Sequence, residues 1–122
     1  MPTTSEHLAR ARQNLRFAES FDLDSTPYLD WVVAAYFYAG LHLVDALLYQ
    51  RERIHGGNHE TRSRYVRQKS YLKQISRAYH ELKDHSENAR YELLTFTRIK
   101  IENVVIPLYR AIESHILPQL PK

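Results

Sequence analysis

The longest apolar segment of the chain covers residues 26–53 and reads TPYLDWVVAAYFYAGLHLVDALLYQRER. Apolar side chains occupy almost every face of a helix drawn through it, which is typical of a helix buried on all sides. Thr26 is expected to cap this helix, with Pro27 in its first turn, where a missing N–H costs nothing. The helix should end near Ile54, because Gly56-Gly57 cannot sustain it. The pattern therefore predicts a long central helix against which the other elements pack.

Three further helices follow from the periodicity of apolar residues and from caps and breaks. Residues 4–21 carry apolar positions at helical spacing. At the start of this segment, Thr3 and Glu6 have the spacing of a capping box. Asn58 can cap a helix over residues 59–68. The apolar pattern then lapses at residues 68–70, so that a separate helix is predicted over residues 70–94.

The last predicted helix covers residues 98–116, with Thr97 as its cap. Pro107 lies inside this segment, and a kink or break is expected there because proline removes a helical hydrogen bond. The sequence therefore predicts an all-α bundle of about five helices, mostly up-and-down, forming a single domain over residues 1–122.

Polar residues stand at two places on otherwise apolar helix faces. His42 and Asp45 lie in the central helix, and Arg90 lies on the apolar face of the fourth helix. Because a buried charge is costly unless it is paired, we expect Arg90 to reach Asp45 first, or Asp30 second. His42 fits a core histidine bonded to Asp45 or to a tyrosine better than a general base. Arg90 with Ser86 likewise fits a structural ion pair better than a phosphate cradle.

Composition places the chain among ordinary globular proteins, with 43% hydrophobic and 25% charged residues. The chain has no cysteine, which excludes disulfides and cysteine-ligated zinc. Residues 1–13 lack the apolar core of a signal peptide, and Asp30, His42 and Asp45 interrupt the one run long enough to span a membrane. We therefore expect a soluble, cytoplasmic protein without a membrane partner.

The charge balance is mildly basic, with a net charge of +3 and 17 lysines and arginines. Most of these are arginines, whose planar forks bind phosphates and stack on bases. Aspartates and glutamates are interspersed among them, as on a solvated helix surface. The charge permits attraction to nucleic acid without demonstrating it.

Three stretches together resemble the HEPN-domain proteins of bacteria and archaea: DW followed by YFYAGLHLVDALL, then HGGNHETR, then ELKDHSENARYELL. The similarity extends over roughly residues 30–94. It implies a compact helical bundle that pairs into a homodimer. HEPN proteins include metal-independent ribonucleases of toxin–antitoxin and defence systems, non-catalytic partners of small nucleotidyltransferases, and nucleotide-binding members.

The nuclease motif of that family is an arginine followed, after four to six residues, by a histidine, commonly with a polar residue directly after the arginine. Two pairs have this spacing, Arg53 with His59 and Arg110 with His115. The second pair lies in the last helix, where the family tends to carry its motif. An apolar residue follows each arginine, which departs from the family pattern.

The resemblance implies roles for several residues if the chain is a ribonuclease. A histidine would act as general base on a 2′-hydroxyl, and arginines would hold the phosphate. The candidate bases are His59 and His115, and the candidate phosphate ligands are Arg62, Arg90 and Arg110.

The segment of residues 55–62, HGGNHETR, is the most site-like junction in the chain. Its polarity is also what a helix boundary requires, and we favour that interpretation. His55, His59 and Glu60 suggest a metal site, but two glycines separate the histidines and fix no geometry between them. We therefore predict no metal and no cofactor.

These observations favour a HEPN-like module that binds nucleic acid, a nucleotide or a partner protein, without a convincing catalytic motif. The alternative is a metal-independent endoribonuclease of toxin type. The expected partners are a second copy of the chain, RNA or a nucleotide, and a small nucleotidyltransferase. The apolar and aromatic faces, more than one small bundle easily covers, favour the homodimer.

Overall fold

Six α-helices, joined by short 3₁₀ and π segments, form the regular structure of the described part of the chain. The computed structural model describes residues 2–91 and 96–121, and of residues 90 and 91 the backbone only. Every regular element in these ranges is helical, which confirms the predicted all-α class. The helices are α1 (Thr4–Glu19), α2 (Leu29–Glu52), α3 (His59–Gln68), α4 (Ser76–Tyr91), α5 (Arg98–Lys100) and α6 (Ile106–Ile116).

The central helix α2 is shorter than predicted at both ends. It begins at Leu29 with Tyr28 as N-cap, so the prediction that Thr26 caps it was wrong. The Thr26 hydroxyl instead accepts a hydrogen bond from the Tyr28 N–H at 3.1 Å, which closes a turn before the helix. At the other end Arg53 takes the left-handed conformation, with φ of 56°, and its N–H donates to the Tyr49 carbonyl. The helix therefore stops before the glycines rather than at them.

The caps predicted for α1 and α3 are confirmed. The Thr3 side chain accepts from the Glu6 N–H, and the Glu6 carboxylate accepts from the Thr3 N–H. The Asn58 side chain accepts from the Thr61 N–H at 2.8 Å. These bonds satisfy amide hydrogens that a helix start leaves without an internal partner.

The predicted break after α3 is also confirmed, because α3 ends at Gln68. A single 3₁₀ turn, Lys73–Ile75, follows, and α4 begins at Ser76, six positions after the predicted start at residue 70. The predicted end at residue 94 lies outside the described residues.

The predicted fifth helix is one continuous helical path built from three segments. Thr97 caps α5 by accepting from the Lys100 N–H, as predicted. A π-helical segment, Ile101–Val105, then leads into α6, which has Pro107 in its first turn. The wide turn stands directly before the proline, where a kink or break was expected.

Helix α2 lies in the core and packs against α1, α4 and α6. Helix α1 runs antiparallel to it, because Thr4 at the start of α1 bonds Gln50 near the end of α2. At the opposite end, Phe17 lies beside Trp31 across a shared cavity. A second cavity between the same helices is lined by His7 and His42, and we call the surface that contains both cavities the α1/α2 groove.

Helix α6 runs in the same direction as α2. Tyr109 near its start packs on Tyr36, with ring centroids 5.6 Å apart, and Gln119 beyond its end bonds Arg51. Two helices that run in parallel depart from the strict alternation of an up-and-down bundle.

Helix α2 is long and apolar enough to cross a membrane by length and composition alone. Of its most apolar window, 83% is buried inside the bundle. This burial is consistent with the core helix of a soluble protein, as the interrupting polar residues predicted.

Candidate functional site

A buried ion pair joins α2 to α3. Arg62 donates from Nε to one carboxylate oxygen of Asp45 at 2.8 Å and from Nη2 to the other at 3.0 Å. Asp45 is 4% exposed and Arg62 7% exposed. A two-point contact of this kind satisfies both carboxylate oxygens and offsets the cost of burying two charges.

Asp45 has a partner that the sequence did not predict, because Arg62 reaches it from α3. Arg90 was the expected partner. The side chain of Arg90 lies outside the described residues. Arg62 was also a candidate phosphate ligand, but its charge is already neutralised by Asp45, which disfavours that role.

Gly56 lies directly against this pair. A Cβ atom at Gly56 would stand 2.5 Å from Arg62 Nε and 2.5 Å from Asp45 Oδ1, closer than real Cβ contacts allow. Gly57 meets no such crowding and instead has a φ of 75°, a left-handed conformation that favours glycine. The two glycines are therefore required for different reasons, one for space and one for backbone conformation.

Two histidines lie beside the ion pair, His7 on α1 and His42 on α2. Their Nδ1 atoms are 3.4 Å apart, so that one ring donates a hydrogen bond to the other. The structure thus gives His42 a partner on another helix, where the sequence predicted Asp45 or a tyrosine. One ligand atom from each of His7, His42 and Asp45 lies within 4.8 Å of the others, and we call these three residues the histidine–aspartate cluster.

Burial disfavours the protonated form of both histidines of the cluster. Burial lowers the pKa of His42 to about 4, although the Asp45 carboxylate opposes that shift. Burial likewise lowers the pKa of His7, again against Asp45, with His55 and Arg62 adding to the decrease. Neutral imidazoles offer nitrogen lone pairs at neutral pH.

The α1/α2 groove contains a second feature at the end away from the cluster. At that end, Phe17 from α1 and Trp31 and Tyr38 from α2 line a cavity of about 330 Å³. Phe17 is 50% exposed and Trp31 56% exposed. Large aromatic side chains so exposed on a small bundle mark a binding surface more often than isolated apolar residues do.

The candidate nuclease residues have separate partners in the structure. Arg110 pairs with Glu113 at 2.8 Å and with Glu19 at 3.5 Å on the surface. His115 lies 2.8 Å from the Tyr71 carbonyl through Nε2, so that this nitrogen carries the hydrogen. The other motif pair, Arg53 with His59, lies at the junction of α2 and α3.

His59 lies exposed at the start of α3, with its ring 6.0 Å from that of Phe37. Arg53 stands over the Tyr49 ring at 5.0 Å. His55 is half-buried, and its ring lies 6.3 Å from the same tyrosine. The junction therefore joins two helices, as the helix-boundary interpretation predicts, and Arg62 at its end forms the ion pair with Asp45, which was not predicted.

Sequence reasoning did not single out His7, Phe17 or Arg10 as functional residues. A signal for His7 was present, because it falls between Thr4 and Ala11 at helical spacing on the buried face of α1. Its contact with His42 joins residues 35 positions apart, and no local pattern encodes such a contact.

The ion pair makes a first prediction about stability. Arg62→Met leaves Asp45 buried without a partner, and we expect it to lower the free energy of unfolding by about 3–5 kcal/mol. The double variant Asp45→Leu/Arg62→Met removes both charges and should recover much of that loss. Urea unfolding measures the free energy of unfolding of both variants. The matched control is Arg110→Met, whose surface ion pairs are worth about 0–1 kcal/mol. A double variant no more stable than Arg62→Met would contradict this account.

The glycines make a second prediction. Gly56→Ala forces a methyl group into the ion pair and should cost about 2 kcal/mol or more. Gly57→Ala adds no clash, and strains only the left-handed backbone, at about 1 kcal/mol. Thermal unfolding of the two variants compares them directly, and equal losses would argue against the close approach at Gly56.

The first two stretches that resemble HEPN-domain proteins lie on α2 and at the α2–α3 junction, and the third lies on α4 as far as Tyr91. No protein-family model, curated protein or solved structure matches the chain. The resemblance therefore stays a prediction.

Proposed function

We propose that this protein is a binding module that holds single-stranded RNA or a nucleotide in the α1/α2 groove. The observation that carries the proposal is the pairing of exposed aromatic rings with unneutralised arginines along one groove. Trp31 and Phe17 supply the rings, and Arg10, which lines the other cavity of the groove, supplies a positive charge. Aromatic platforms beside basic side chains are how proteins bind single-stranded nucleic acid with little sequence preference.

The aromatic end of the groove suits a flat base. Ala34 and Ala35 form part of its lining, so small side chains leave room between the rings. Every base has a π-face, and each stacked base contributes about 1–3 kcal/mol. The groove therefore offers affinity without base-specific hydrogen bonds.

The arginines of α1 are free to meet phosphates. Arg10, Arg12 and Arg16 are exposed, and none forms an ion pair with another described residue. Arg10 also lines the cavity beside His7 and His42. An exposed arginine without a carboxylate partner keeps its full charge for a phosphate.

A protein partner is the second candidate for this groove. Trp31, Phe17 and the neighbouring alanines form an apolar surface that a second copy of the chain can cover, in keeping with the predicted homodimer. The groove cannot hold RNA and a second copy of the chain at the same time, so experiments on the same variants can distinguish these two occupants. A small nucleotidyltransferase, the other protein partner expected from the sequence, would bind the same apolar surface.

The binding prediction is tested with a fluorescent single-stranded RNA in EDTA. Trp31→Ala and Phe17→Ala should each weaken binding by about 5–150-fold, the equivalent of losing one stacked base. Arg10→Ala should lower the slope of log affinity against log salt by about 0.7. The control is Ile99→Ala, which removes a side chain that is 62% exposed on α5 and should leave affinity unchanged.

Sedimentation of the same variants decides between the two occupants. If Trp31→Ala converts a dimer to a monomer and no variant affects RNA affinity, the groove is a protein interface and the nucleic-acid proposal is wrong. Circular dichroism confirms that each variant retains its helices.

The ribonuclease alternative predicts cleavage of total tRNA in the presence of EDTA. His59→Ala or His115→Ala should abolish that cleavage if the resembling motif is catalytic. Because both histidines lie outside the residues that line the groove, cleavage lost with either variant while RNA affinity stays unchanged would establish a second, catalytic surface. No cleavage by the wild-type protein rejects the alternative and leaves the binding module.

A further inference from the structure

We propose that the histidine–aspartate cluster, formed by His7, His42 and Asp45, binds one divalent transition-metal ion, with Zn²⁺ the best match. No metal site was expected from the sequence, and the only metal arrangement considered there used His55, His59 and Glu60. Its two histidines line a cavity of about 260 Å³, and its aspartate is the one that pairs with Arg62. The proposal rests on different residues from the proposed nucleic-acid function and does not depend on it.

The spacing of the two histidines fits a tetrahedral ion. Their Nδ1 atoms lie 3.4 Å apart. With Zn–N bonds of about 2.0–2.1 Å, an ion bonded to both nitrogens at that separation has an N–Zn–N angle of about 110°. That is the angle of tetrahedral coordination. Small rotations of the two rings suffice to turn a histidine–histidine hydrogen bond into a pair of metal bonds.

Asp45 completes a three-donor set. Its ligand oxygen lies within 4.8 Å of both histidine donors, so modest inward movement brings it to bonding distance. Each carboxylate oxygen has two lone pairs, and Arg62 uses one on each. One lone pair remains on each oxygen, and either of these can bind the ion. A metal-bound carboxylate held by an outer hydrogen-bond donor is a common arrangement, because that donor fixes the ligand's orientation.

The chemistry of the three donors indicates which ion the cluster would bind. Two imidazole nitrogens and one carboxylate oxygen suit Zn²⁺ better than Mg²⁺ or Ca²⁺, which prefer oxygen ligands.

The cavity lined by His7 and His42 leaves space for a fourth ligand. Pro2, Glu6 and Arg10 form the remainder of its lining, so water or a ligand oxygen can approach the two histidines there. A site with three protein ligands and one open position is typical of zinc that binds an exchangeable group rather than of purely structural zinc.

The test is titration of the metal-free protein with Zn²⁺ by calorimetry, and with Co²⁺ by visible absorption. We expect one ion per chain, the intense visible bands of tetrahedral Co²⁺, and a rise in the midpoint of thermal unfolding with Zn²⁺. His7→Gln and His42→Gln should each weaken Zn²⁺ binding at least about tenfold, because even an outer partner of a ligand is worth 10–100-fold.

The matched control is His85→Gln. His85 is a half-buried histidine on α4 that packs against Phe96, and its replacement should leave Zn²⁺ affinity unchanged. If His42→Gln does not fold, His7→Gln decides the question from the other helix. Equal Zn²⁺ affinity in the wild type, His7→Gln and His42→Gln overturns the proposal, as does an equal loss with His85→Gln. Because the RNA assay is done in EDTA, its outcome is independent of this one.

Discussion

The packing of α3 against α2 depends on one contact, the buried pairing of Asp45 with Arg62. Two charges inside the bundle are tolerated because both carboxylate oxygens are satisfied at 2.8 and 3.0 Å. The pairing fixes where α3 lies against α2 and leaves no room for a side chain at Gly56. The polar junction between these helices, which resembles a site in the sequence, is therefore shaped largely by a structural requirement.

The aspartate of this pair also affects the neighbouring histidines. Burial is the main reason that the pKa of His42 is lowered to about 4, because an imidazolium is poorly solvated inside the bundle. The Asp45 carboxylate opposes that shift, and Arg62 makes only a small further contribution to the decrease. Asp45 is therefore shared by a structural ion pair and a candidate ligand set.

Local features of the fold were predictable from the sequence, whereas its long-range contacts were not. The caps at Thr3, Asn58 and Thr97 were predicted correctly, because a cap depends on residues within one turn. The start of α2 was wrong because the Thr26 hydroxyl bonds the second residue after it and closes a turn. A partner for Asp45 was predicted, but its identity was not, since helical propensity says nothing about which arginine the fold brings near.

The antiparallel pairing of α1 and α2 places the two proposed sites on one groove, and their separation limits what can occupy both. Along α2, Trp31 and His42 are 11 positions apart, which is about 16 Å at the rise of an α-helix. A nucleoside monophosphate stacked on Trp31 is too short to reach an ion held by His42 as well. A ligand that uses both sites must span this distance and approach Arg10, which lines the cavity beside His42. If both sites serve the same ligand, the geometry therefore favours an oligonucleotide over a nucleoside monophosphate, because only the longer chain spans the groove.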